Sequence, residues 1–428
     1  MTEPLPRPEA DVRMRGFTRR ATVAAVLEWL DAQLFPLPDE SLPLLAAAGR
    51  VLARDIVSRY DVPGFDRAMM DGFAVQARDT EGVGPYQRTS LELLGEVLPG
   101  SEFPGEVRPR TCVRIMTGAP LPRGADAVLP VEKTEVVGER VEVLEDVSPG
   151  KHVGRTGEDL ARGTVVLTAG RQLRPQDLGV LSSIGVENVP VVTRPRVQLV
   201  ITGNELLPAG SPPSGARIVD ANGPMLAALV ARDGGIPLFP GLVPDDPTAV
   251  AAALQADADI VLVSGGSSVG TEDHAPRLLA RDGELAVHGV AMRPSSPTGC
   301  GTLDGRLVFL LPGNPVSCLC AYDFFAGRAI RALGGRPRHW PYRRSRSTLT
   351  RKLVSVVGRV DYARVKAVEG GVEPLAIGGA SVLSSTTRAD GFVVVPEDCE
   401  GYPAGSAVDV WWYEESPDAA WTSSSSST

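Results

Sequence analysis

The spacing of apolar positions changes along the chain, and the changes mark out its parts. Over residues 18–34 apolar side chains recur at Val23, Val26, Leu27, Leu30 and Leu34, with Glu28, Asp31 and Gln33 between them. That spacing predicts one amphipathic helix. Leu44, Leu45, Ala48, Val51 and Leu52 predict a second over about 42–54. Short strands follow at 72–75, 91–95, 111–116, 127–130 and 140–144 with no comparable helix among them, so this stretch reads as an inserted, largely β lobe.

Residues 195–335 follow a different pattern. The apolar run Val197 to Ile201 stops at Thr202-Gly203, and Asp259 to Val263 runs into Ser264-Gly265-Gly266-Ser267-Ser268-Val269-Gly270. Leu307 to Leu311 stops at Pro312-Gly313-Asn314-Pro315-Val316-Ser317. Helices over 225–231 and 248–256 lie between these runs, with Asp220 and Asn222 ahead of the first. Strand, glycine turn and helix in repetition imply a mostly parallel sheet covered on both faces. Ligands of such sheets lie beyond the carboxyl ends of the strands. Pro315 suits the first position of a helix with Asn314 capping it, and the free N–H groups there favour an anion. Gly265 and Gly266 let the backbone approach an anion closely, Ser268 adds a hydroxyl, and Asp273 adds a charge that a phosphate tolerates only through a cation or water. Neither the Walker A pattern nor the Rossmann fingerprint is present, which argues against a standard NTPase and leaves little support for a dinucleotide enzyme.

Beyond residue 346 the pattern turns β-like again, at 347–357, 361–368, 392–396 and 408–412. This predicts a small β domain in which Trp411 and Trp412 are packing residues. The cluster Arg343-Arg344-Ser345-Arg346 reads as part of a solvated linker over 336–346.

Composition narrows the function. The chain has 428 residues and a net charge of −9, with no long basic block, which argues against a nucleic-acid binder. Five cysteines without a Cys-x-x-Cys pair suit a reduced, cytoplasmic protein. No stretch approaches the ~20 apolar residues of a membrane span. Three loops carry further candidate chemistry: Asp66 and Asp71 on a Pro/Gly-punctuated loop, Thr117 in a small-residue turn after a strand, and Glu158 with Asp159 in a Gly-rich loop. Each also has an ordinary local role, as an Asx turn, a turn cap or a surface carboxylate.

Five motifs in order, DVPGFDxxxMDGxAV, RIMTGAP, RxGED, SGGxSVGxxD and LPGNPVS, resemble those of MoeA-type molybdopterin molybdenumtransferases, the family that includes the gephyrin E domain. The resemblance covers about 18–412. It implies an α/β multidomain fold: a helical/β subdomain in two segments, 17–60 and 146–194; an inserted β lobe, 61–145; a molybdopterin-binding α/β domain, 195–338; and a C-terminal β barrel, 339–415. Residues 1–16 and 416–428 are expected to be disordered. It also implies a homodimer whose site joins the α/β domain of one subunit to the β lobe of the other. There adenylylated molybdopterin and molybdate would meet with Mg2+, AMP would be released, and a molybdopterin adenylyltransferase would act upstream. By motif, Asp71 and Thr117 would come from the lobe and Glu158 from the Gly-rich loop. Asp220 and Asp273 would hold the metal or orient the attacking oxygen. Gly265, Gly266, Ser268, Pro312, Gly313, Asn314 and Pro315 would form the pterin and phosphate floor, and Arg293 would supply a cation.

The departures from the family pattern concentrate around the anion site. Asn204 stands for an aspartate, Ser296 for the second lysine of a basic stretch, Ser267 for an apolar residue and Ala380 for a serine; Thr271 also differs. These changes leave a second reading, a catalytically impaired paralogue acting as a scaffold or taking another anion.

Overall fold

The computed structural model describes residues 5, 19–84, 86–265, 274–376 and 381–413. Gly266, Ser267, Ser268, Thr271, Asp273, Gly379 and Ala380 lie outside them, as do nearly all residues of the two ends. The chain divides into two compact units, residues 1–38 with 192–428, and residues 39–191. Among the described residues no helix is long and apolar enough to cross a membrane.

The first unit is organised by a mixed sheet. Its parallel part runs Ile236–Leu238, Arg196–Thr202, Ile260–Ser264, Arg306–Leu311, and the antiparallel strands Gly299–Leu303 and Glu284–His288 extend it. These last two strands were not separated by the sequence pattern. The parallel strands read as unbroken apolar runs because successive residues enter opposite cores. Val197, Leu199, Ile201, Ile260, Leu262, Leu307, Phe309 and Leu311 fill one, and Val200, Val261, Val263, Val308 and Leu310 fill the other.

Helix Val23–Gln33, capped by the Thr22 hydroxyl on the Ala25 amide at 3.1 Å, inserts Val23, Val26 and Leu30 into the first core. Its packing therefore assigns it to this unit, although the sequence reading groups residues 17–60. Helix Asn222–Arg232 shares that core, whereas Pro247–Leu254 and Ala275–Asp282 cover the other.

Strands Arg343–Thr348, Val360–Val368, Gly371–Ala376, Gly391–Val395 and Ala407–Trp412 curl into a barrel. A parallel bridge between Leu349 and Val372 closes it, with the Thr350 amide on the Val372 carbonyl at 2.9 Å. Met292–Arg293 adds a parallel strand beside Val360–Asp361. The arginine cluster predicted as linker is a barrel strand. Its alternating exposed positions keep the arginines at the surface, where Arg344 pairs with Asp409 at 2.5 Å and lies over the Trp411 ring at 5.2 Å. Trp411 does pack, stacking on Phe392, and the Trp412 indole donates to the Ser345 hydroxyl at 2.7 Å.

In the second unit a sheet runs Ala127–Pro130, Gly72–Val75, Thr111–Ile115, Thr89–Val97, Arg140–Val143, Thr134–Val137. The helix predicted over 42–54 does not form. Asp39–Pro43 is a strand, Leu44–Ala47 a single 3-10 turn, and Gly49 turns the chain at φ 72°. Pro43 and Gly49 bracket too few residues for an α-helix.

Helix Pro175–Ser183, absent from the sequence reading, buries Asp177 in its first turn. Arg171 donates to that carboxylate at 2.8 and 3.0 Å and the Arg174 amide at 2.9 Å. The Arg171 bonds, the largest cause, hold the carboxyl well below its usual value of 3.8. A depressed folded pKa gives stability that is present above the unfolded value and lost as pH falls through the folded one. The melting midpoint of Asp177→Asn should therefore fall less steeply below about pH 4 than that of the parent, as a thermal scan series would show.

Candidate functional site

The parallel strands add first to one side of Arg196–Thr202 and then to the other, which makes a topological switch point at its carboxyl end. Thr202-Gly203, Ser264-Gly265 and Leu311-Pro312-Gly313 leave the sheet along that edge. Gly265 takes φ 95°, and a Cβ there would meet the Thr202 carbonyl oxygen at 2.0 Å. A Cβ on Gly313 would come within 3.7 Å of the Gly265 Cα. The turns are thus packed backbone to backbone. Gly265→Ala is expected to cost at least about 2 kcal/mol through strain and overlap, measurable by urea denaturation.

Asp220 and Asn222, at the start of helix Asn222–Arg232, connect these turns. Asp220 is buried; its Oδ1 accepts the Gly223 amide at 2.9 Å, while its Oδ2 has no hydrogen-bond partner among the described residues. Asn222 donates from Nδ2 to the Ser264 hydroxyl at 2.9 Å and to the Gly313 carbonyl at 2.7 Å. Sequence reasoning gave Asn222 no role, although its position two residues after a candidate acid was a signal. It also passed over Asp245, whose carboxylate accepts the Thr202 hydroxyl at 3.1 Å beyond the short strand Leu242–Val243. The Cys318 thiol lies 3.8 Å from the Ser264 hydroxyl, and burial pushes it up to about 12, so it stays neutral.

Pro315 occupies the first position of helix Pro315–Ala321. Asn314, exposed, is the N-cap residue, but its side chain makes no capping bond; its carbonyl accepts the Cys318 amide at 2.9 Å. The amide side chain expected as a cap is accordingly not engaged with the helix. Asn204 lies in an exposed turn. Arg293 has a partner of its own: its guanidinium forks onto the buried Asp361 of the barrel, which also accepts the Ser355 hydroxyl at 2.7 Å.

The three motif loops of the second unit also converge. Asp71 Oδ1 accepts both the Thr117 hydroxyl at 2.6 Å and its amide at 2.7 Å. The hydroxyl bond, then the amide, holds the Asp71 carboxyl below its ordinary value. The Thr117 hydroxyl, a candidate either as a ligand donor or as a local cap, donates to Asp71 within the protein. Asp66 accepts the Thr156 amide at 2.8 Å and Arg155 at 2.7 Å, and the Thr156 amide is the main cause of its lowered pKa. Glu158 accepts the Arg155 amide at 2.9 Å and Arg67 at 3.2 Å. Strands Arg67–Ala68 and Val153–Gly154 pair antiparallel and bring the loops together. Of these three acids Asp71 alone pairs with no cation among the described residues.

Among the described residues no group of three or more His, Cys, Asp or Glu side chains is placed to hold a metal. Asp220 nonetheless fits as a single ligand, since a bare buried carboxylate oxygen suits a divalent cation whose other ligands are water and substrate oxygens.

Comparison with known proteins gives matches over most of the chain. Residues 21–185 match the MoeA N-terminal region (domain I and II), residues 198–332 the probable molybdopterin binding domain, and residues 346–413 the MoeA C-terminal region (domain IV). Molybdopterin molybdenumtransferase 2 of Mycobacterium tuberculosis H37Rv is 35% identical over 383 residues, covering 87% of this chain and 94% of that protein. Molybdopterin molybdenumtransferase of Haemophilus influenzae is 31% identical over 385 residues, covering 88% and 94%. The crystal structure of the molybdopterin biosynthesis MoeA protein from Pyrococcus horikoshii superposes with a TM-score of 0.82 at 31% identity, covering 93% of this chain and all of that one. With its motifs, its fold and its full-length relatives in agreement, the chain belongs to the MoeA-type molybdopterin molybdenumtransferase family.

Proposed function

We propose that this chain is a molybdopterin molybdenumtransferase that inserts molybdate into adenylylated molybdopterin and releases AMP during molybdenum cofactor synthesis. The observation that carries the reading is the Asp220 carboxylate, buried at the switch point with Oδ2 left without a donor among the described residues. An uncompensated buried carboxylate is costly, and its retention beside glycine turns suits a site that takes a cation together with a polyanion. Gly265 and Gly313 allow close approach of substrate to backbone. Asn222 holds the two turns in fixed relation, so the floor is organised before ligand arrives.

In the reaction, water adds to a phosphorus of the phosphoanhydride and the bridging P–O bond breaks, giving AMP and the molybdopterin phosphate; molybdate then exchanges an oxygen ligand, which leaves with the two thiol protons as water, for the two dithiolene sulfurs. Asp220 orients the attacking water as an acceptor, and Asp273 belongs to the same proposal. Mg2+ would be held through Asp220 Oδ2 and, when bound, would neutralise charge on the anhydride oxygens. Asp71, with its carboxyl fixed by Thr117, and Glu158 complete the assignment of acids. The proposal extends to a cytoplasmic homodimer supplied by a molybdopterin adenylyltransferase.

Incubation with adenylylated molybdopterin, molybdate and magnesium tests the reading. Metal-dependent release of AMP with formation of molybdenum cofactor is expected. Its absence under conditions that load a known family member would count against the proposal.

A further inference from the structure

The loop that follows strand Met292–Arg293 sits against the floor just described. Ser295, buried at φ 93°, donates its hydroxyl to the Ser317 carbonyl in the first turn of helix Pro315–Ala321, and the Thr298 hydroxyl closes the loop onto the Ser295 carbonyl at 2.8 Å. The loop is therefore fixed, yet it offers no cation of its own to a polyanionic ligand, because Arg293 is bonded to Asp361.

A cation reaches the loop from elsewhere. Arg20 donates from Nε to the Ser296 hydroxyl at 2.8 Å, across 276 positions of sequence. Its delivery is rigid. The neighbouring Ala21 is 2% exposed, its amide bonds the Gly289 carbonyl at 3.0 Å, and its carbonyl accepts the Ala291 amide at 2.8 Å. Val290, bridged in parallel to Ala21, in turn bonds the Ser296 carbonyl at 2.9 Å. The Arg20 guanidinium is exposed, and neither Nη nitrogen has a partner among the described residues. By contrast, Arg328 and Arg338 of the same unit both pair with Asp31. An arginine held by Nε alone presents a fork of donors shaped for an oxyanion.

We propose that Arg20 is an oxyanion-binding residue of this site, carried in from the N-terminal segment to supply the charge that Ser296 lacks. The inference rests on the function proposed above and names the residue that makes the rewritten loop competent. Its ligand is a tetrahedral oxyanion, either a substrate phosphate or molybdate.

Isothermal titration of the full chain with sodium pyrophosphate and with sodium molybdate tests it, using Arg20→Ala, Arg20→Lys, Ser296→Lys and the double variant Arg20→Ala with Ser296→Lys. Arg20→Ala should weaken binding of at least one of the two anions about tenfold, and Arg20→Lys, which keeps the charge but not the fork, should lose less than Arg20→Ala. Ser296→Lys alone should add little, because the charge is already supplied, whereas in the Arg20→Ala background it should restore binding. That non-additivity is the signature of one shared role. Loss confined to pyrophosphate identifies phosphate as the ligand, and loss confined to molybdate identifies molybdate. Unchanged affinity of Arg20→Ala for both anions would overturn the inference, as would a loss that Ser296→Lys fails to restore, which would mark Arg20 as a structural tie. Failure of the parent protein to release AMP would instead remove the proposed reaction, whatever the titrations gave.

Discussion

Replacing Asp220 by asparagine is expected to slow AMP release at least about a hundredfold, the loss typical of removing a positioned catalytic carboxylate, while the protein stays folded. The two oxygens of this side chain have separate duties. Oδ1 caps the helix by accepting the Gly223 amide, and an asparagine oxygen can do the same. Oδ2 is buried without a partner, so its negative charge serves nothing inside the described protein. Asparagine removes that charge with little change of shape. A melting midpoint within a few degrees of the parent, together with AMP release within threefold of it, would sink the role assigned to Asp220. Chromatographic measurement of AMP from adenylylated molybdopterin is a direct readout.

Asp233→Ala should be the most destabilising of the substitutions considered, by roughly 3–5 kcal/mol, because it breaks a buried ion pair from one side. Asp233 Oδ2 lies 3.0 Å from Arg331 Nη1 and 3.0 Å from Arg232 Nη2, and accepts the Tyr322 hydroxyl at 2.9 Å. Arg331 is 3% exposed and would keep its charge with no carboxylate in contact. The disturbance would spread, since Arg232 also pairs with Asp323 at 3.2 Å, and Asp323 accepts the Tyr342 hydroxyl at 3.0 Å. Burial is the largest cause raising the pKa of both Tyr322 and Tyr342, so these phenols stay protonated and donate. Urea unfolding followed by tryptophan fluorescence measures the loss, and Asp233→Asn, which keeps an acceptor, should cost less.

The parallel strands were legible because residues buried on both faces leave unbroken apolar runs that glycine and proline end abruptly. Arg343–Thr348 escaped that logic. It lies on a barrel with a solvated face, and its arginines resemble a linker until Asp409 and Trp411 are seen beside them. Residues 42–54 misled in the opposite sense, since helical spacing of leucines and valines was satisfied by a strand and a 3-10 turn. At the switch point, Asp220 was singled out through the family resemblance and its place before a helix. Asn222 was not, because its partners Ser264 and Gly313 lie 42 and 91 positions away. Arg293 was read as a free cation because Asp361, 68 positions on, is invisible to local inspection.

The seam between the α/β sheet and the barrel bears on how this protein can be dissected or fused. Met292–Arg293 forms a ladder with Val360–Asp361, and Val360, Tyr362 and Phe392 share a core with Leu30, Phe309 and Ile330. Trp340 adds ring contacts to Phe324 on one side and to Phe392 and Trp411 on the other. A gene cut near residue 338 would not yield two autonomous modules. It would strip a strand from one sheet and expose aromatic surface on both pieces, so shuffling the barrel between relatives requires carrying its neighbour along with it.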